Sequence, residues 1–540
     1  MKTILFVSVF LNCYCCANAQ WIFQHGYGNN RNERCQSAFP TNDGGLLLNG
    51  ATTSFGTGDV DPLIIKTDLR GNILWSKTCG ASANEIPNCA AETFDNKMVF
   101  IGSTDASGIS GASDALVFKT DSVGNFLWAK SLGGINNENA VKIIELSDHG
   151  YGITGTTESY GSGNADIFFA RMDVNGDTAF TRVYGTADNE ICKSMAPTSD
   201  GGFIICGKSS EIISGALVFK AILLRIDSTG NLLWSKSYGD TLYQEAQSVA
   251  QTADGGFVVC GSRDFTSTGN YDILLFRTES SGNIIWSKTY GGNKGEGSYT
   301  VNLNADGTTV LSGYTNSMGY GHRGDDSTNI FLMKTDANGD TIWTRTYGGD
   351  KQDEAFLSHK TLDGGYIISG FSDYHNADSS QMLVIKTDSL GFSGCNEFTS
   401  HPFIVNDLLR ENNVNYTQNS GMSMNSLILT TTNRVITDST YCLFTAVNEI
   451  SGTQSYIIFP NPVTDKLFIK NVFTDGQASV LINKISISVY NLIGEKILAP
   501  TFINIQGNYF ELNLSSLKQG LYLLEILTEK ERMVQKFVKE

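Results

Sequence analysis

The sequence predicts an all-β protein, with a seven-bladed β-propeller closed by an N-terminal strand and a small C-terminal β-sandwich after it. Three observations carry this prediction. A unit of 52 to 57 residues recurs up to about residue 394, each unit holds four short strand-like segments, and seven Asp-Gly-type turns join first to second strands. Periods of this size with four strands are typical of propeller blades, which pack in a ring because one blade cannot bury both its faces.

Composition agrees with many short strands and tight turns. Of 540 residues, 56 are Gly and only 8 are Pro, and charged residues make up 17%. The formal net charge is −17, and such an acidic surface repels phosphate backbones. Nucleic acid is therefore excluded as an expected partner.

The first nineteen residues are typical of a secretory signal peptide. Lys2 precedes an apolar run, and Ala17-Asn18-Ala19 is a small-x-small cleavage site. We expect cleavage before Gln20. No later segment reaches about 18 uninterrupted apolar residues, so we expect no transmembrane segment in the mature chain.

The count of strands predicts how the ring closes. A strand at Gln20–Gly28 precedes any complete unit, whereas the last unit, after Asp388, lacks its outer strand. We expect the N-terminal strand to be the fourth strand of the seventh blade, with Trp21 as its outer aromatic, equivalent to Trp75 of the first unit. This closure removes the open edges of the ring and sets the propeller at residues 20–394.

Charged residues recur in every unit, and we interpret them as structural. An acid follows each outer aromatic residue by ten to twelve places: Glu33, Glu85, Glu138, Glu190, Glu245, Glu296 and Glu354. A base lies in every third strand: Lys66, Lys119, Arg171, Arg225, Arg277, Lys334 and Lys386. A buried base needs an acidic partner, and sevenfold recurrence favours a blade requirement over an active site. We predict no catalytic residue.

No cofactor and no metal are predicted. Asp173-Val-Asn-Gly-Asp177 and Asp336-Ala-Asn-Gly-Asp340 resemble the start of a calcium loop, but no Glu completes the site. Sister units lack the second acid, which favours a tight turn. Calcium remains the alternative for these two turns.

The longer second-to-third loops and the links between blades share one face, where function is expected. The candidate ligand-binding residues lie in the sixth and seventh units: Tyr320, His322, Arg323, Asp325, Asp326, Tyr374 and His375. Aromatic, amide and carboxylate groups together suit sugar rings or an exposed peptide. The alternative is that they are ordinary polar loop residues.

Residues 395–452 lose the period, and we interpret them as a spacer that packs on the propeller rim. Eight cysteines follow the signal peptide. Cys395 and Cys442 bracket the spacer, and an exported chain can form disulfides. We predict a Cys395–Cys442 disulfide.

Residues 453–540 form a separate unit with alternating strands at 466–470, 485–490, 509–514 and 521–527. Several motifs occur in order: Pro460-Asn461-Pro462 after Phe459, Tyr490 and Gly494 in one segment, and Gly520 with Tyr522 in another. The segment resembles the type A C-terminal sorting domain of the Bacteroidetes type IX secretion system. The resemblance implies export through the periplasm, a secreted or cell-surface location and contact with the secretion machinery.

Two classes of function remain open. We favour a non-enzymatic binding or adhesion module, directed to polysaccharide or a surface glycan. The chief alternative is a secreted polysaccharide-degrading enzyme of the glycoside hydrolase kind, because paired carboxylates leave no local motif. A passive scaffold is a third interpretation.

Overall fold

The computed structural model contains β-structure throughout its described part. It describes residues 20–29, 31–56, 59–105, 112–264, 270–319, 327–373, 379–394, 397–400, 402–406, 409–419, 422–426, 430–446, 456–459, 463–471, 486–490, 496–498, 509–518, 520–527 and 532–539. Within these ranges the elements are all strands. The chain divides into two compact units, one of which holds residues 21–444.

The first four blades follow the N-terminal strand β1 (Gln20–Gly28). Each blade takes its first four strands from one repeat unit. Blade 1 has β2 (Glu33–Pro40), β3 (Leu46–Thr52), β4 (Asp61–Thr67) and β5 (Ile73–Gly80); blade 2 has β6 (Glu85–Glu92), β7 (Met98–Thr104), β8 (Asp114–Thr120) and β9 (Phe126–Gly133); blade 3 has β10 (Glu138–Glu145), β11 (Tyr151–Thr157), β12 (Asp166–Met172) and β13 (Thr178–Gly185); blade 4 has β14 (Glu190–Pro197), β15 (Phe203–Ile213), β16 (Ala216–Ile226) and β17 (Leu232–Tyr238).

The remaining three blades complete the ring. Blade 5 has β18 (Gln244–Gln251), β19 (Phe257–Asp264), β20 (Tyr271–Thr278) and β21 (Ile284–Gly291); blade 6 has β22 (Glu296–Leu303), β23 (Thr309–Thr315), β24 (Asn329–Thr335) and β25 (Thr341–Tyr347); blade 7 has β26 (Asp353–Lys360), β27 (Tyr366–Ser372) and β28 (Gln381–Thr387) together with β1. The first strand of each unit is the inner strand, and inner strands of successive blades contact one another around the whole ring.

The ring closes as the sequence predicts. Strand β1 pairs antiparallel with β28, with Phe23 opposite Lys386, and β2 of blade 1 packs on β26 and β27 of blade 7. The seven-bladed propeller closed by an N-terminal strand is therefore confirmed.

The register of β1 differs by two residues from the sequence reading. In blade 1 the outer aromatic Trp75 lies opposite Lys66, and in β1 the equivalent residue is Phe23, not Trp21. Phe23 is buried. Trp21 is half-buried, and the Arg70 guanidinium lies 4.3 Å from the centre of its ring. The β1 sequence offers two aromatics at alternate positions, so spacing alone does not select between them.

The outer aromatic joins each blade to the next, and in five blades a tyrosine four residues later adds a hydrogen bond. The Trp286 ring packs on Gly339 of the next blade, where an added Cβ would lie 2.9 Å from the indole. Gly339 has a φ of 79°, which glycine adopts at little cost. The Tyr290 hydroxyl donates a hydrogen bond to the same glycine's carbonyl. Equivalent bonds start from Tyr27, Tyr184, Tyr238 and Tyr347.

Residues 397–446, here called the belt, add a fifth strand to every blade. The seven strands are β29 (Glu397–Thr399), β30 (Phe403–Asn406), β31 (Glu411–Asn413), β32 (Thr417–Asn419), β33 (Ser423–Ser426), β34 (Thr430–Asn433) and β35 (Thr437–Ala446). They join blades 6, 5, 4, 3, 2, 1 and 7 in that order. The belt thus passes once around the ring, against the order of the blades, and pairs with each outer edge.

The belt is held by buried anchors and by hydroxyl groups. Leu409, Tyr416, Met422 and Ile436 are buried between its strands and join the blade cores. The hydroxyl side chain that directly follows an outer aromatic residue forms a hydrogen bond with the backbone of the belt. The Ser76 hydroxyl donates to the Arg434 carbonyl at 2.7 Å, and the Leu409 amide donates to Ser287 Oγ at 3.3 Å.

The second compact unit contains the C-terminal sheets. One sheet has β36 (Tyr456–Phe459), β37 (Lys466–Asn471) and β40 (Tyr509–Asn513); the other has β38 (Ser486–Tyr490), β39 (Lys496–Leu498), β41 (Gly520–Leu527) and β42 (Arg532–Lys539). Leu467 and Leu512 of the first sheet share one hydrophobic cluster with Leu524 and Phe537 of the second.

Candidate functional site

Two faces of the propeller follow from its topology. The turn face carries the first-to-second and third-to-fourth turns, and the loop face carries the second-to-third loops and the links between blades. Inner strands surround the ring axis. Residues that recur in all seven blades have a structural role in each blade. A functional site is therefore expected where the sequence departs from the repeat.

Five of the recurrent glutamates hold the links between blades. Glu138 accepts hydrogen bonds from the Gly134 amide at 2.8 Å and the Thr157 hydroxyl at 2.7 Å. Glu33, Glu85, Glu190 and Glu296 each bond the amide four residues earlier in the same way. All five are fully buried. These carboxyl groups stabilise a loop and are out of reach of a ligand.

Several of these glutamates face an aspartate of the preceding blade. A Cβ added at Gly80 would lie 2.2 Å from Asp61 Oδ1 and 2.7 Å from Glu85 Oε2. Burial raises the pKa of Glu85 and that of Glu190 to about 7. Burial also raises the pKa of Asp166 to about 6. Raised pKa values are typical of acid catalysts, but here the glutamate and the aspartate that it faces are both buried at a blade boundary.

The recurrent bases pair with acids of the first-to-second turns. Lys66 Nζ lies 2.9 Å from Asp43 Oδ1, and Arg277 lies 2.6 Å from Asp254 Oδ2. Lys119, Arg171, Arg225 and Lys386 pair with the equivalent aspartates. Hydrogen bonds from Thr308 lower the pKa of the equivalent Asp306, and the nearby charge of Lys334 acts in the same direction. The base in each third strand therefore lies beside an acid of its own blade.

The two calcium-like turns are held by ordinary hydrogen bonds. Asp173 Oδ1 accepts the amides of Asn175 and Asp177, each at 2.9 Å. Asp177 and Asp340 form ion pairs with Lys130 and Lys288 of the preceding blades. In the described part of the chain, no group of three His, Cys, Asp or Glu side chains is placed to hold a metal ion.

The repeat is broken at two glutamates. In blade 5, Gln244 takes the place of the link glutamate and bonds Asp240, so Glu245 is displaced by one residue. In blade 7, Asp353 takes that place and bonds the Gly349 amide, so Glu354 is displaced likewise. A shift of one residue turns a side chain to the opposite face of a strand. Glu245 and Glu354 are thus freed from the link.

Both displaced glutamates lie among aromatic rings. We call the aromatic rim the set formed by Glu245 and Glu354 with Phe219, Tyr243, Tyr271, Tyr299, Tyr314, Phe356 and Phe371. Tyr243 lies 4.9 Å from Tyr271, and Tyr299 lies 5.8 Å from Tyr314. Phe356 lies 5.7 Å from Phe371. These contacts place the rim on blades 4 to 7, near the loop-face ends of the inner strands.

Tyrosine hydroxyls orient the two carboxylates. Tyr243 donates to Glu245 Oε2 and Tyr299 donates to Glu354 Oε1, each at 2.6 Å. The second bond joins blade 6 to blade 7. Burial acts to raise the pKa of Glu245, but Lys193, Lys208 and the hydrogen bonds from Tyr243 and Gln247 outweigh it, so the pKa falls below its ordinary value. Burial and the carboxylates raise the pKa of Tyr243 and of Tyr299. The rim therefore presents a carboxylate held by neutral phenols.

Cations complete the rim. Lys208 Nζ lies 3.2 Å from Glu245 and 5.1 Å from the centre of the Tyr243 ring. Arg34 of blade 1 lies 4.4 Å from the centre of the Phe371 ring. Attraction between a cation and a ring face holds such pairs together. The rim thus offers ring faces, hydrogen-bond acceptors and donors within one sector.

β-Bulges help to place these side chains. Each of the seven inner strands bulges at its fourth residue, which is Gln36, Asn88, Val141, Lys193, Gln247, Tyr299 or Phe356. Bulges re-aim side chains and are frequent beside functional sites. The bulged residue is aromatic only in blades 6 and 7. Comparing this one position across the seven units would have singled out Tyr299 and Phe356 in the sequence, but not the rings and carboxylates that they meet.

The predicted ligand-binding residues Tyr320, His322, Arg323, Asp325, Asp326, Tyr374 and His375 lie outside the described residues. The strands that flank them in sequence belong to blades 6 and 7. The aromatic rim, which the sequence analysis did not predict, spans blades 4 to 7 and so includes these two blades.

The cysteines and the sorting motifs are placed as follows. Cys35, Cys79, Cys89, Cys192, Cys206 and Cys260 are free thiols and buried. Cys395 and the Cys442 side chain lie outside the described residues, so their disulfide stays a prediction, as do the places of Pro460, Asn461, Pro462 and Gly494. Tyr490 donates a hydrogen bond to Glu525. Tyr522, two residues after Gly520, donates one to the Lys518 carbonyl.

Comparison with known proteins identifies the C-terminal unit. Residues 457–540 match the model of the secretion system C-terminal sorting domain. The resemblance predicted from the sequence is confirmed, and this domain marks the chain as a secreted propeller protein of type IX secretion. In the described residues, no helix is long and apolar enough to cross a membrane.

The chain is also similar in part to two other proteins. Regulatory protein FlaEY of Caulobacter vibrioides is 26% identical over 189 residues, which cover 30% of this chain and 20% of that protein. A crystal structure of the eukaryotic initiation factor aligns with 65% of this chain and 89% of its own, at 10% identity and a TM-score of 0.29. The chain matches only a fifth of the length of this curated relative.

Proposed function

We propose that this protein is a non-enzymatic binding module that carries a glycan site on the aromatic rim. A signal peptide takes it to the periplasm, and the sorting domain takes it across the outer membrane to the cell surface or the medium. The observation that carries the proposal is the break in sevenfold symmetry, which gathers aromatic rings and two carboxylates on blades 4 to 7.

The chemistry of the rim suits a sugar ring. A pyranose has an apolar face of C–H groups that packs on an aromatic face, and hydroxyls at its edge that need acceptors. Tyr299 and Phe356 supply adjacent faces, 6.3 Å apart. Glu354 supplies an acceptor beside them. The half-buried rings are accessible enough to be covered by a ligand.

The test measures depletion of the chain from Gln20 to Glu540 by a panel of insoluble polysaccharides, with soluble reducing ends assayed in the same tubes. We expect depletion without sugar release. Tyr299→Ala removes a ring and should weaken binding about tenfold, as a lost stacking contact of about 1.4 kcal/mol implies. Ile86→Ala is the control, because Ile86 is an apolar residue of the blade 2 inner strand that lies outside the aromatic rim and is 44% exposed.

Each outcome is decisive for the proposal. Equal weakening by both variants, or depletion that Tyr299→Ala leaves intact, would show that the rim is not the site. Release of reducing ends would favour the alternative, a polysaccharide-degrading enzyme. Absence of depletion across the panel would contradict a glycan ligand.

A further inference from the structure

A second departure from symmetry lies at the opposite end of the ring. A cavity of about 430 Å³ opens on the turn face, between the inner-strand ends and turns of blades 7, 1, 2 and 3. Ligand sites commonly have volumes of about 300 to 1,000 Å³. Phe39, Phe94, Lys142 and His359 line this cavity, with Glu92 and Glu145. None of these residues belongs to the aromatic rim.

The turns beside the cavity differ from the other turns. In five blades a glycine with positive φ completes the first-to-second turn, at residues 44, 201, 255, 307 and 364. In blades 2 and 3 the position is held by Asn96, with a φ of 55°, and by His149, with a φ of 64°. Side chains in this region are uncommon, and such strain often accompanies function. Both turns that carry it border the cavity.

These two side chains contact residues that line the cavity. The His149 ring stacks on Phe94 with 3.4 Å between ring centres. Asn96 Oδ1 accepts a hydrogen bond from the Asn42 side chain at 3.0 Å. Phe94 is 56% exposed, whereas most equivalent turn residues are small or polar: Asn42, Ser147, Ser199, Ala253 and Ala305. An exposed ring at a cavity mouth is available to a ligand.

The charges in the cavity are incompletely paired. In the part of the chain that the structure describes, Lys142 forms no ion pair. Glu92 accepts the Asn42 amide through Oε2, which leaves Oε1 available. Glu145 is less accessible, because its Oε2 accepts the Phe94 amide and its Oε1, which has no hydrogen-bond partner among the described residues, is buried 3.7 Å from His149. Burial and Lys142 lower the pKa of His359 to about 3, so the imidazole is neutral and Lys142 is the cation of the cavity.

We propose that the turn-face cavity binds a free amino acid or short peptide as a zwitterion with an apolar side chain. Its carboxylate pairs with Lys142, its ammonium group pairs with Glu92, and its side chain packs on Phe39 and Phe94. Unpaired charges of both signs beside aromatic rings fit such a ligand better than a neutral one, because Lys142 and Glu92 are half-buried and each would gain an ionic partner of opposite charge. The site is independent of the glycan site.

The experiment is calorimetric titration of the full chain with three probes. The dipeptide Leu-Phe carries both charges, N-acetyl-Leu-Phe lacks the ammonium group, and Leu-Phe amide lacks the carboxylate. We expect Leu-Phe to bind and each blocked probe to bind at least tenfold more weakly. In Lys142→Met the free dipeptide and the amide should bind equally weakly, and in Glu92→Gln the free and acetylated dipeptides should bind alike.

The control is Lys351→Met, which removes an exposed lysine of the loop face and should leave all three affinities unchanged. Far-ultraviolet circular dichroism checks that each variant is folded. The proposal is overturned if Leu-Phe gives no saturable binding at millimolar concentration, if the three probes bind equally, or if Lys142→Met still distinguishes the free dipeptide from its amide.

Discussion

A single hydroxyl group contributes to each of five blade boundaries. Tyr238 is fully buried, and its hydroxyl donates to the Gly282 carbonyl of the next blade at 2.9 Å. In blades 1 and 2 the equivalent residues are Cys79 and Leu132. Tyr151 is also fully buried, but its hydroxyl has no hydrogen-bond partner among the described residues.

These two tyrosines give opposite predictions for the same substitution. Tyr238→Phe should lower the free energy of unfolding by about 1 kcal/mol, because the Gly282 carbonyl loses its donor. Tyr151→Phe should be neutral or stabilising, since it removes an unsatisfied polar group. Urea denaturation of both variants checks this. Equal effects would contradict the assigned hydrogen bonds.

Buried carboxyl groups make stability depend on pH. The pKa of Glu190 rises from its ordinary 4.5 to about 7 because the group is buried, with Asp166 nearby. Between these two values the folded protein keeps a proton that the unfolded chain releases. The contribution of Glu190 to stability therefore falls as pH rises from 4.5 to 7.

Glu190→Gln should remove part of this pH dependence. We expect the fall in the free energy of unfolding between pH 5 and pH 8 to shrink by on the order of 1 to 3 kcal/mol in the variant. Urea denaturation at both pH values measures it. Glu158→Gln, at an exposed position, is the control and should retain the full difference. An unchanged pH dependence in Glu190→Gln would refute the assignment.

At the scale of elements, the belt converts seven exposed edges into paired strands. Outer strands present unpaired backbone groups, which invite association between chains. The belt covers these edges with strands of only three or four residues on six blades and of ten on blade 7. Strands so short gain little from pairing alone, so the buried anchors between them must supply much of the stability.

Leu409→Ala tests the anchors. Removing a buried leucine costs about 2 to 5 kcal/mol, more than so short a segment gains from pairing. We expect faster hydrogen exchange in β30 and β31 and in their partners β21 and β17. Val405→Ala, in the same belt at 53% exposure, should leave exchange unchanged. If exchange rises in neither variant, the anchors do not hold the belt.

At the scale of the whole molecule, one strand closes the ring. Strand β1 pairs with β28 on one edge and carries the belt strand β35 on the other. Blade 7 is therefore built from the N-terminal strand, three strands of the last unit and the end of the belt. Its closure depends on contacts between residues more than 350 positions apart, such as Phe23 and Lys386.

The two aromatics of β1 test this closure. Phe23→Ala should lower the free energy of unfolding by about 3 to 5 kcal/mol, because Phe23 is 1% exposed and joins the core of blades 7 and 1. Trp21→Ala should cost much less, since Trp21 is half-buried at the surface. Thermal unfolding of both variants measures this. A larger loss for Trp21→Ala would support the sequence-derived register instead.

The sequence by itself determined the number of blades, the closure by β1 and the nature of the sorting domain. These features depend on local signals, namely the Asp-Gly turns, the spacing of outer aromatics and contiguous motifs such as Gly520 with Tyr522. Turn chemistry and strand alternation act between near neighbours in the chain. The turn and aromatic signals of the propeller recur in every unit, which makes the period recognisable in the sequence.

Only the tertiary structure decided the path of the belt and the composition of the two candidate sites. Ser76 meets Arg434, and Tyr299 of blade 6 meets Glu354 of blade 7. No local pattern specifies such partners, because strand pairing and side-chain contact depend on which edges and faces the folded ring brings together. The one-residue displacement of Glu245 and Glu354 shows the reason. Successive side chains of a strand point to opposite faces, so a shift of one residue moves a glutamate from the buried link between blades to the aromatic rim.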